Sequence, residues 1–176
     1  MSHRLILMRH AKSAWPEGVS DFDRPLAPRG ETAAPLMGRW LGEQDFRPEV
    51  ALVSSAVRTR ATWAQVAPSL VGTPARFEAK IYNARASTLL ELVRAQPVST
   101  KAILMIGHNP GMQELAHGLA DPEHSDTEAL RRLARKYPTA GLAVLESESN
   151  LAEADMRSMR LVTFITPRFL GGVDED

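Results

Sequence analysis

An arginine and a histidine end the first apolar segment of the chain. Leu5 to Met8 form an apolar run of strand length, and Arg9 and His10 follow it directly. In an open α/β sheet, ligands bind at the carboxyl ends of the strands. A guanidinium can hold two phosphate oxygens and keeps its charge, while an imidazole can act as nucleophile or proton carrier near neutral pH. The pair therefore marks a candidate phosphate site.

Two further apolar segments end in polar residues that suit the same chemistry. Ser54 and Ser55 close the second segment, and Arg58 follows in the first turn of the next predicted helix. His108 and Asn109 follow the third segment. If the three strands are parallel neighbours, their carboxyl ends share one crevice. Two guanidiniums and two imidazoles would then enclose a phosphoryl group, with amides at helix N-termini as additional donors.

The elements that must position these residues alternate between apolar runs and amphipathic stretches. This alternation predicts βα repetition and a mainly parallel sheet. The predicted strands are residues 4–9, 50–54, 102–107, 142–146 and 161–165. No helical crossover is evident between the last two, so one of them is expected to be antiparallel or at an edge. The predicted helices begin near Pro28, at Val57, at Thr88 behind a Ser87 cap, at Met112, and at Thr127 behind an Asp126 cap. Pro35 is expected to bend or loosen the first of them.

Composition narrows the class of protein. With 176 residues the chain is expected to form one domain, residues 1–176. Its 21 basic and 21 acidic residues balance, which argues against nucleic acid or an anionic membrane as partner. Without cysteine, thiolate catalysis and cysteine-bound zinc are excluded. The N-terminal apolar run is too short for a secretory signal, and no run approaches the roughly 20 residues of a membrane span. A cytoplasmic location is expected.

One acidic segment superficially resembles a metal site. Residues 121–126 contain Asp121 and His124, but they have no partner cluster and no regular ligand spacing. A solvated loop is the better interpretation. No metal and no cofactor are therefore predicted.

Three sequence blocks resemble those of the histidine phosphatase superfamily, which has the phosphoglycerate-mutase-like fold. They are Leu-Met-Arg-His-Ala at 7–11, Leu-Val-Ser-Ser-Ala-Val-Arg-Thr-Arg-Ala-Thr at 52–62 and Ile-Gly-His-Asn-Pro-Gly at 106–111. Within the superfamily, Asp-Arg-Pro-Leu at 23–26, Arg-Gly at 29–30 and Tyr-Pro-Thr-Ala at 137–140 resemble the SixA-type phosphohistidine phosphatases. The resemblance implies an α/β three-layer sandwich with a mainly parallel central sheet flanked by helices.

The resemblance also implies roles for individual residues. His10 would be the nucleophile that is transiently phosphorylated, with Arg9, Arg58 and His108 around the phosphoryl group and Asn109 among the substrate-binding residues. Basic chemistry agrees, because imidazole attacks phosphorus only when neutral and nearby guanidiniums lower its pKa. The same guanidiniums stabilise charge in the transition state. The implied enzyme is a metal-independent hydrolase.

Two departures from the family pattern bear on mechanism. Ala11 stands where many members carry glycine, which is tolerated if its φ is negative. The segment 81–85, Ile-Tyr-Asn-Ala-Arg, lacks the glutamate that many relatives use as general acid, and Asn109 replaces the acidic residue of acid-phosphatase relatives. The remaining candidates for an acid are Glu17, Asp21 and Asp23, in the loop after the nucleophile.

The missing glutamate points to the substrate. A positioned acid contributes about 10²–10⁴-fold when an alkoxide leaves, whereas phosphohistidine can be protonated on its ring nitrogen beforehand. A protein carrying phosphohistidine is therefore the predicted partner, and a short chain would leave the site open to it. Two alternatives remain. One is a small-molecule phosphomonoesterase with an acid from the loop around Asp21, and the other is a non-catalytic phosphate-binding module.

Overall fold

The computed structural model describes residues 2–174 and contains a six-stranded sheet with the order β3-β2-β4-β1-β5-β6. Met1, Glu175 and Asp176 of the predicted domain lie outside the described residues. Parallel pairing joins β1 to β4, β4 to β2 and β2 to β3, while β5 and β6 are antiparallel. The strands are β1 (His3–Arg9), β2 (Val50–Ser54), β3 (Ala75–Glu78), β4 (Ala102–Gly107), β5 (Leu142–Ser147) and β6 (Arg160–Ile165).

Helices cover both faces of the sheet. They are α1 (Pro28–Glu43), α2 (Val57–Val66), α3 (Ala86–Arg94), α4 (Gly111–Leu119) and α5 (Thr127–Arg135). Alternate residues of β1 enter two separate cores. Ile6 and Met8 pack in the core that includes residues of α1 and α2, and Leu5 and Leu7 pack in the core that includes residues of α3, α4 and α5. This arrangement confirms the predicted three-layer α/β sandwich.

The central strands bring the predicted site residues to one edge of the sheet. β2 and β4 are buried at every residue, as expected for strands covered on both faces. Arg9 at the end of β1 pairs with Gly107 at the end of β4, and Val53 of β2 pairs with Ile106. The prediction that the three parallel strand ends lie together at one edge of the sheet is confirmed.

Several local predictions differ from the structure. β3 was not predicted, because this four-residue edge strand exposes Arg76 and Phe77 and has no apolar run. The Ser87 cap is wrong, since α3 begins at Ala86 and has no side-chain cap. α1 runs from Pro28 to Glu43 with Pro35 inside it, and a bend at this proline stays a prediction.

Other local predictions are confirmed. β5 and β6 are both antiparallel, and β6 is an edge strand. The Asp126 carboxylate caps α5 by accepting from the Ala129 amide at 2.7 Å. Across residues 2–174, no helix combines the length and apolar character needed to cross a membrane.

Candidate active site

Arg58 connects the two histidines of the site. Its Nε lies 3.4 Å from Nε2 of His10, and its Nη2 lies 3.2 Å from Nδ1 of His108. The centroids of the two imidazole rings are 5.3 Å apart. All three side chains belong to buried residues. They come from separate elements, because His10 follows β1, Arg58 lies in the first turn of α2 and His108 follows β4.

His10 is held in the form that can attack phosphorus. Its Nδ1 lies 2.8 Å from the carbonyl oxygen of Ala11, and that oxygen can only accept, so Nδ1 carries the hydrogen. The lone pair is then on Nε2, on the side of Arg58. Burial lowers the pKa of His10 well below 6.5, and the neighbouring positive groups lower it further, against the raising effect of the Ala11 carbonyl. The imidazole is therefore neutral at physiological pH.

His108 is also neutral. Its Nδ1 faces the guanidinium of Arg58, which can only donate, so Nδ1 accepts and the hydrogen is on Nε2. Nε2 donates to the hydroxyl of Ser54 at 2.8 Å. Burial, followed by the charge of Arg58, lowers the pKa of His108 to about 3. Ser54 thus orients His108 from the end of β2, a role that was not predicted although Ser54 was noted at that strand end.

Arg9 and Asn109 converge on one backbone carbonyl. Arg9 donates through Nη1 to the carbonyl oxygen of Tyr137 at 2.8 Å, and Asn109 donates through Nδ2 to the same oxygen at 3.3 Å. The Asn109 side-chain oxygen accepts from the amide of Gln113 at 3.2 Å in α4. Asn109 therefore supports the loop beside Arg9, and its role in substrate binding stays a prediction.

Asp21 occupies the outer side of the Arg58 guanidinium. Arg58 donates through Nη1 to the Asp21 backbone carbonyl at 2.6 Å and through Nη2 to its carboxylate at 3.2 Å. The Tyr82 hydroxyl also donates to this carboxylate. The hydrogen bond from Tyr82, together with the charge and hydrogen bond of Arg58, lowers the pKa of Asp21. Asp21 is therefore ionised at neutral pH, the wrong form for a general acid.

The other two acid candidates lie elsewhere in the loop. Glu17 is exposed. Asp23 is exposed as well, and its carboxylate accepts from the hydroxyl of Ser20 at 2.7 Å. Asp21 is thus the candidate whose carboxylate the structure places on Arg58.

Tyr82 is a site residue that the sequence did not identify. Its ring makes edge contacts with His108 at 5.4 Å and with Phe22 at 5.1 Å between centroids. Its hydroxyl bonds Asp21, and this bond raises the pKa of Tyr82. The only sequence signal was an aromatic residue in the segment where relatives carry glutamate.

Backbone contacts fix the position of His10 relative to Arg58. The amide of Ala11 donates to the Thr62 hydroxyl at 3.0 Å, and this hydroxyl donates to the Arg58 carbonyl at 2.7 Å. Ala11 is fully buried and has negative φ, since the non-glycine residues with positive φ between residues 2 and 174 are Asn83, Ala140 and Arg157. The methyl group in place of glycine is therefore accommodated, as predicted.

The rim of the site is polar and aromatic. Arg24 donates through Nε to Asp21 at 3.1 Å, and its guanidinium lies over the Trp15 ring, 3.5 Å from the centroid. Trp15 is 75% exposed, so it belongs to the rim and not to the core.

The acidic segment that superficially resembles a metal site is a separate loop, in which Asp121 and His124 bond each other at 2.6 Å. Within the described part of the chain, no group of three or more potential ligand side chains is arranged around a common metal position.

The fold and the site define a protein class that sequence comparison also finds. The chain belongs to the histidine phosphatase superfamily, whose branch 1 model matches residues 5–83. This segment contains Arg9, His10 and Arg58. The protein is accordingly a phosphatase, as the sequence predicted.

Individual relatives span nearly the whole chain. An uncharacterised protein of Mycobacterium tuberculosis is 37% identical over 161 residues, which cover 92% of this chain and 100% of the relative. The solved structure assigned as phosphohistidine phosphatase SixA of Agrobacterium tumefaciens is 31% identical, with a TM-score of 0.77 and coverage of 94% and 98%. The structure assigned as SixA of Nakamurella multipartitia is 28% identical, with a TM-score of 0.83 and coverage of 95% and 97%.

Proposed function

We propose that this phosphatase works through a phosphohistidine on His10 and removes phosphoryl groups from phosphohistidine in a protein. The observation that carries the proposal is the approach of the Arg58 guanidinium to Nε2 of a neutral, oriented His10, at 3.4 Å. A neutral imidazole beside a fixed cation has a lone pair for attack and a partner for the phosphoryl oxygens. The resemblance to structures assigned as phosphohistidine phosphatases supports the same substrate class.

Two displacements at phosphorus make up the proposed reaction. Nε2 of His10 attacks the phosphoryl group and forms a P–N bond. The P–N bond to the substrate breaks, and its nitrogen takes the electron pair and leaves as a neutral imidazole, because solvent has already protonated the other ring nitrogen. Water then attacks phosphorus, the bond to His10 breaks, and inorganic phosphate leaves. Arg9 and Arg58 stabilise the charge on the transferring oxygens, as metal ions do in other phosphoryl-transfer sites, so the mechanism has no metal step.

The state of Asp21 favours a nitrogen leaving group. A carboxylate that accepts from Arg58 and Tyr82 has no proton to donate. An alkoxide needs a proton as the P–O bond breaks, whereas the ring nitrogen of phosphohistidine can receive one from solvent beforehand. The site is therefore better suited to phosphohistidine than to alkyl phosphates.

A small-molecule phosphomonoesterase is the second candidate, and the Asp21–Arg58 contact is the observation that favours it. If Arg58 turns from Asp21 to an incoming phosphoryl group, the carboxyl group loses a cationic partner and its pKa rises. Asp21 would then be able to carry a proton to an oxygen leaving group. Hydrolysis of an alkyl phosphate as fast as a phosphohistidine peptide would support this candidate.

The decisive experiment compares wild type with His10→Ala on three substrates: a phosphohistidine peptide, a sugar phosphate and an aryl phosphate, each with and without chelator. We expect His10→Ala to abolish turnover, and alkaline quenching with mass spectrometry to locate phosphate on His10 in the wild type. His117→Ala, at an exposed histidine of α4, is the matched control. Full activity in His10→Ala, or phosphate on another histidine, would refute the mechanism. Analogue binding without any turnover would indicate the non-catalytic module.

A further inference from the structure

A second basic surface lies outside the catalytic pocket. A groove of about 480 Å³ is formed by the end of α5, the end of β6 and the turn that follows it, and we call it the α5–β6 groove. Four basic residues line it: Arg132, Arg135, Lys136 and Arg168. Among the lining residues between 2 and 174, the one carboxylate is that of Asp174, which accepts from the backbone amide of Arg168 at 2.9 Å. The chain as a whole has no net charge, so this concentration of positive charge is local.

Buried polar atoms in the α5–β6 groove have unused hydrogen-bonding capacity. Thr166 is 4% exposed, and within residues 2–174 its hydroxyl has no hydrogen-bond partner. Nε of Arg132 is likewise buried without one in that range. Buried polar groups are normally bonded, so an unpaired hydroxyl and an unpaired N–H on residues that line a basic groove leave hydrogen bonds that a bound acceptor could satisfy. A carboxylate oxygen has the required chemistry.

The groove is pre-organised for binding. Arg132 donates through Nη2 to the carbonyl oxygen of Phe164 at 2.8 Å, and its guanidinium lies 4.3 Å from the centroid of the Phe169 ring. These contacts fix the guanidinium before any ligand arrives, which reduces the entropy lost on binding. Arg135 and Arg168 are exposed and can meet a large partner.

The α5–β6 groove lies at the same edge of the sheet as His10. Ile165 at the end of β6 pairs with Leu142, and Leu142 pairs with Met8 near the end of β1. The chain itself also connects the two sites. Lys136 in the groove precedes Tyr137, whose carbonyl oxygen accepts from Arg9. A single protein partner can therefore contact both sites at once.

We propose that the α5–β6 groove binds acidic side chains of the protein that presents phosphohistidine to His10. The proposal rests on the proposed function, and it adds a specificity surface to it. Charge complementarity at the edge of an interface raises the rate of encounter and lowers the apparent KM, while the chemical step at His10 stays unchanged. A small phosphorylated molecule would be bound by the catalytic pocket alone.

The test uses two synthetic phosphohistidine peptides that differ only in a flanking block of glutamates or glutamines, together with phosphoramidate as a small substrate. We expect wild type to prefer the acidic peptide by about fivefold in kcat/KM, through KM, with the preference falling at high salt. Arg135→Glu with Arg168→Glu should abolish the preference and leave phosphoramidate hydrolysis unchanged. Arg47→Glu, at a 90% exposed side chain before β2, is the matched control for Arg135→Glu and Arg168→Glu made one at a time, because it changes the net charge by the same amount as either.

A second variant protects the test against misfolding. Thr166→Val keeps the shape of the side chain and removes a hydroxyl without a partner, so it should fold normally and reduce the preference for the acidic peptide. Equal kcat/KM for both peptides in the wild type, or an unchanged preference in the Arg135→Glu, Arg168→Glu protein, would overturn the proposal. Anisotropy with a labelled, unphosphorylated acidic peptide measures groove binding without turnover. A failure of the phosphatase function is thereby distinguished from a failure of the groove.

Discussion

Nε of Arg58 points at Nε2 of His10 across 3.4 Å, so the guanidinium is aimed at the lone pair that attacks phosphorus in the proposed mechanism. The remaining nitrogens of the same group reach His108 and Asp21. In the proposed mechanism, one side chain therefore orients the nucleophile and supplies positive charge to the transition state. Because Arg58 combines these roles, we expect a conservative substitution of this residue to lower the catalytic rate more than one elsewhere in the site.

Arg58→Lys should lower kcat on phosphoramidate by about 10²–10³-fold, the usual effect of removing one aligned donor from a transition state. An ammonium is a point charge and cannot reproduce the fork of a guanidinium. Steady-state kinetics measures the loss. Arg60→Lys is the control, because Arg60 is exposed in the same helix and lies over the Phe77 ring at 4.6 Å. A near-normal kcat in Arg58→Lys would contradict the proposal that the planar guanidinium, and not only its charge, is required.

Asp21→Asn should strengthen inhibition by inorganic phosphate by about threefold. In the resting site the Asp21 carboxylate occupies Arg58, so phosphate must compete with it, and its partial exposure limits the effect to the range of an exposed ion pair. Tyr82→Phe should act in the same direction but more weakly, since it removes only one bond to that carboxylate. The inhibition constant for phosphate is the measurement. Asp23→Asn is the control, and weaker inhibition in Asp21→Asn would contradict the competition.

Stability should fall as the pH drops from about 6.5 towards 5, because His10 and His108 have lowered pKa values in the folded protein. In this range the unfolded chain binds more protons than the folded chain. Lowering the pH therefore lowers the free energy of the unfolded state relative to the folded state and reduces the free energy of unfolding. The loss from His108 continues until the pH reaches its folded pKa of about 3. The exposed His124, whose pKa is raised, contributes stability that is lost as the pH rises above about 6.5, so its contribution is nearly constant in this lower range.

His108→Gln isolates this effect. Denaturant unfolding of the variant should show a shallower loss of free energy between about pH 6.5 and 5 than the wild type, because glutamine does not titrate. Carboxyl groups such as Asp21 contribute mainly below this range. Identical pH profiles for the two proteins would show that His108 does not have a lowered pKa.

Gly111→Ala should cost about 1–3 kcal/mol of folding free energy. A Cβ at this position, the first of α4, would collide with the backbone carbonyl of Ala84, two residues after Tyr82. The variant should also shift phosphate inhibition in the direction of Tyr82→Phe. Gly118→Ala in the same helix is the control, because its Cβ meets the end of the flexible Met156 side chain at 2.6 Å. Equal stability of both variants in urea unfolding would contradict the close approach.

The convergence of the four principal candidate site residues could be predicted because three of them end or follow strands and Arg58 lies in the first turn after one. Apolar runs identify β1, β2 and β4, and parallel pairing then brings their carboxyl ends together. Knowledge of side-chain packing was not needed to predict where these candidate residues lie: Arg9, His10, Arg58 and His108.

The outer part of the site could not be predicted in the same way. The bond between Asp21 and Tyr82 joins residues 61 positions apart, on a loop and on a turn with no periodic pattern. Asp21 was one of three equivalent carboxyl groups until tertiary structure placed it against Arg58. β3 was missed for a related reason, since its exposed residues carry no burial signal.

The chain of contacts from Ala11 through Thr62 to Arg58 has a consequence for how such an enzyme can change its substrates. It ties the proposed nucleophile to its cation through the buried hydroxyl of Thr62, while Trp15 and Phe22 stand exposed on a loop outside that connection. Substitutions of these two side chains, unlike a substitution of Asp21, can remodel what enters the site while the hydrogen bonds of Arg58 stay unchanged. The molecule thus separates a rigid reaction centre from an adaptable entrance, and new specificities can arise at the entrance alone.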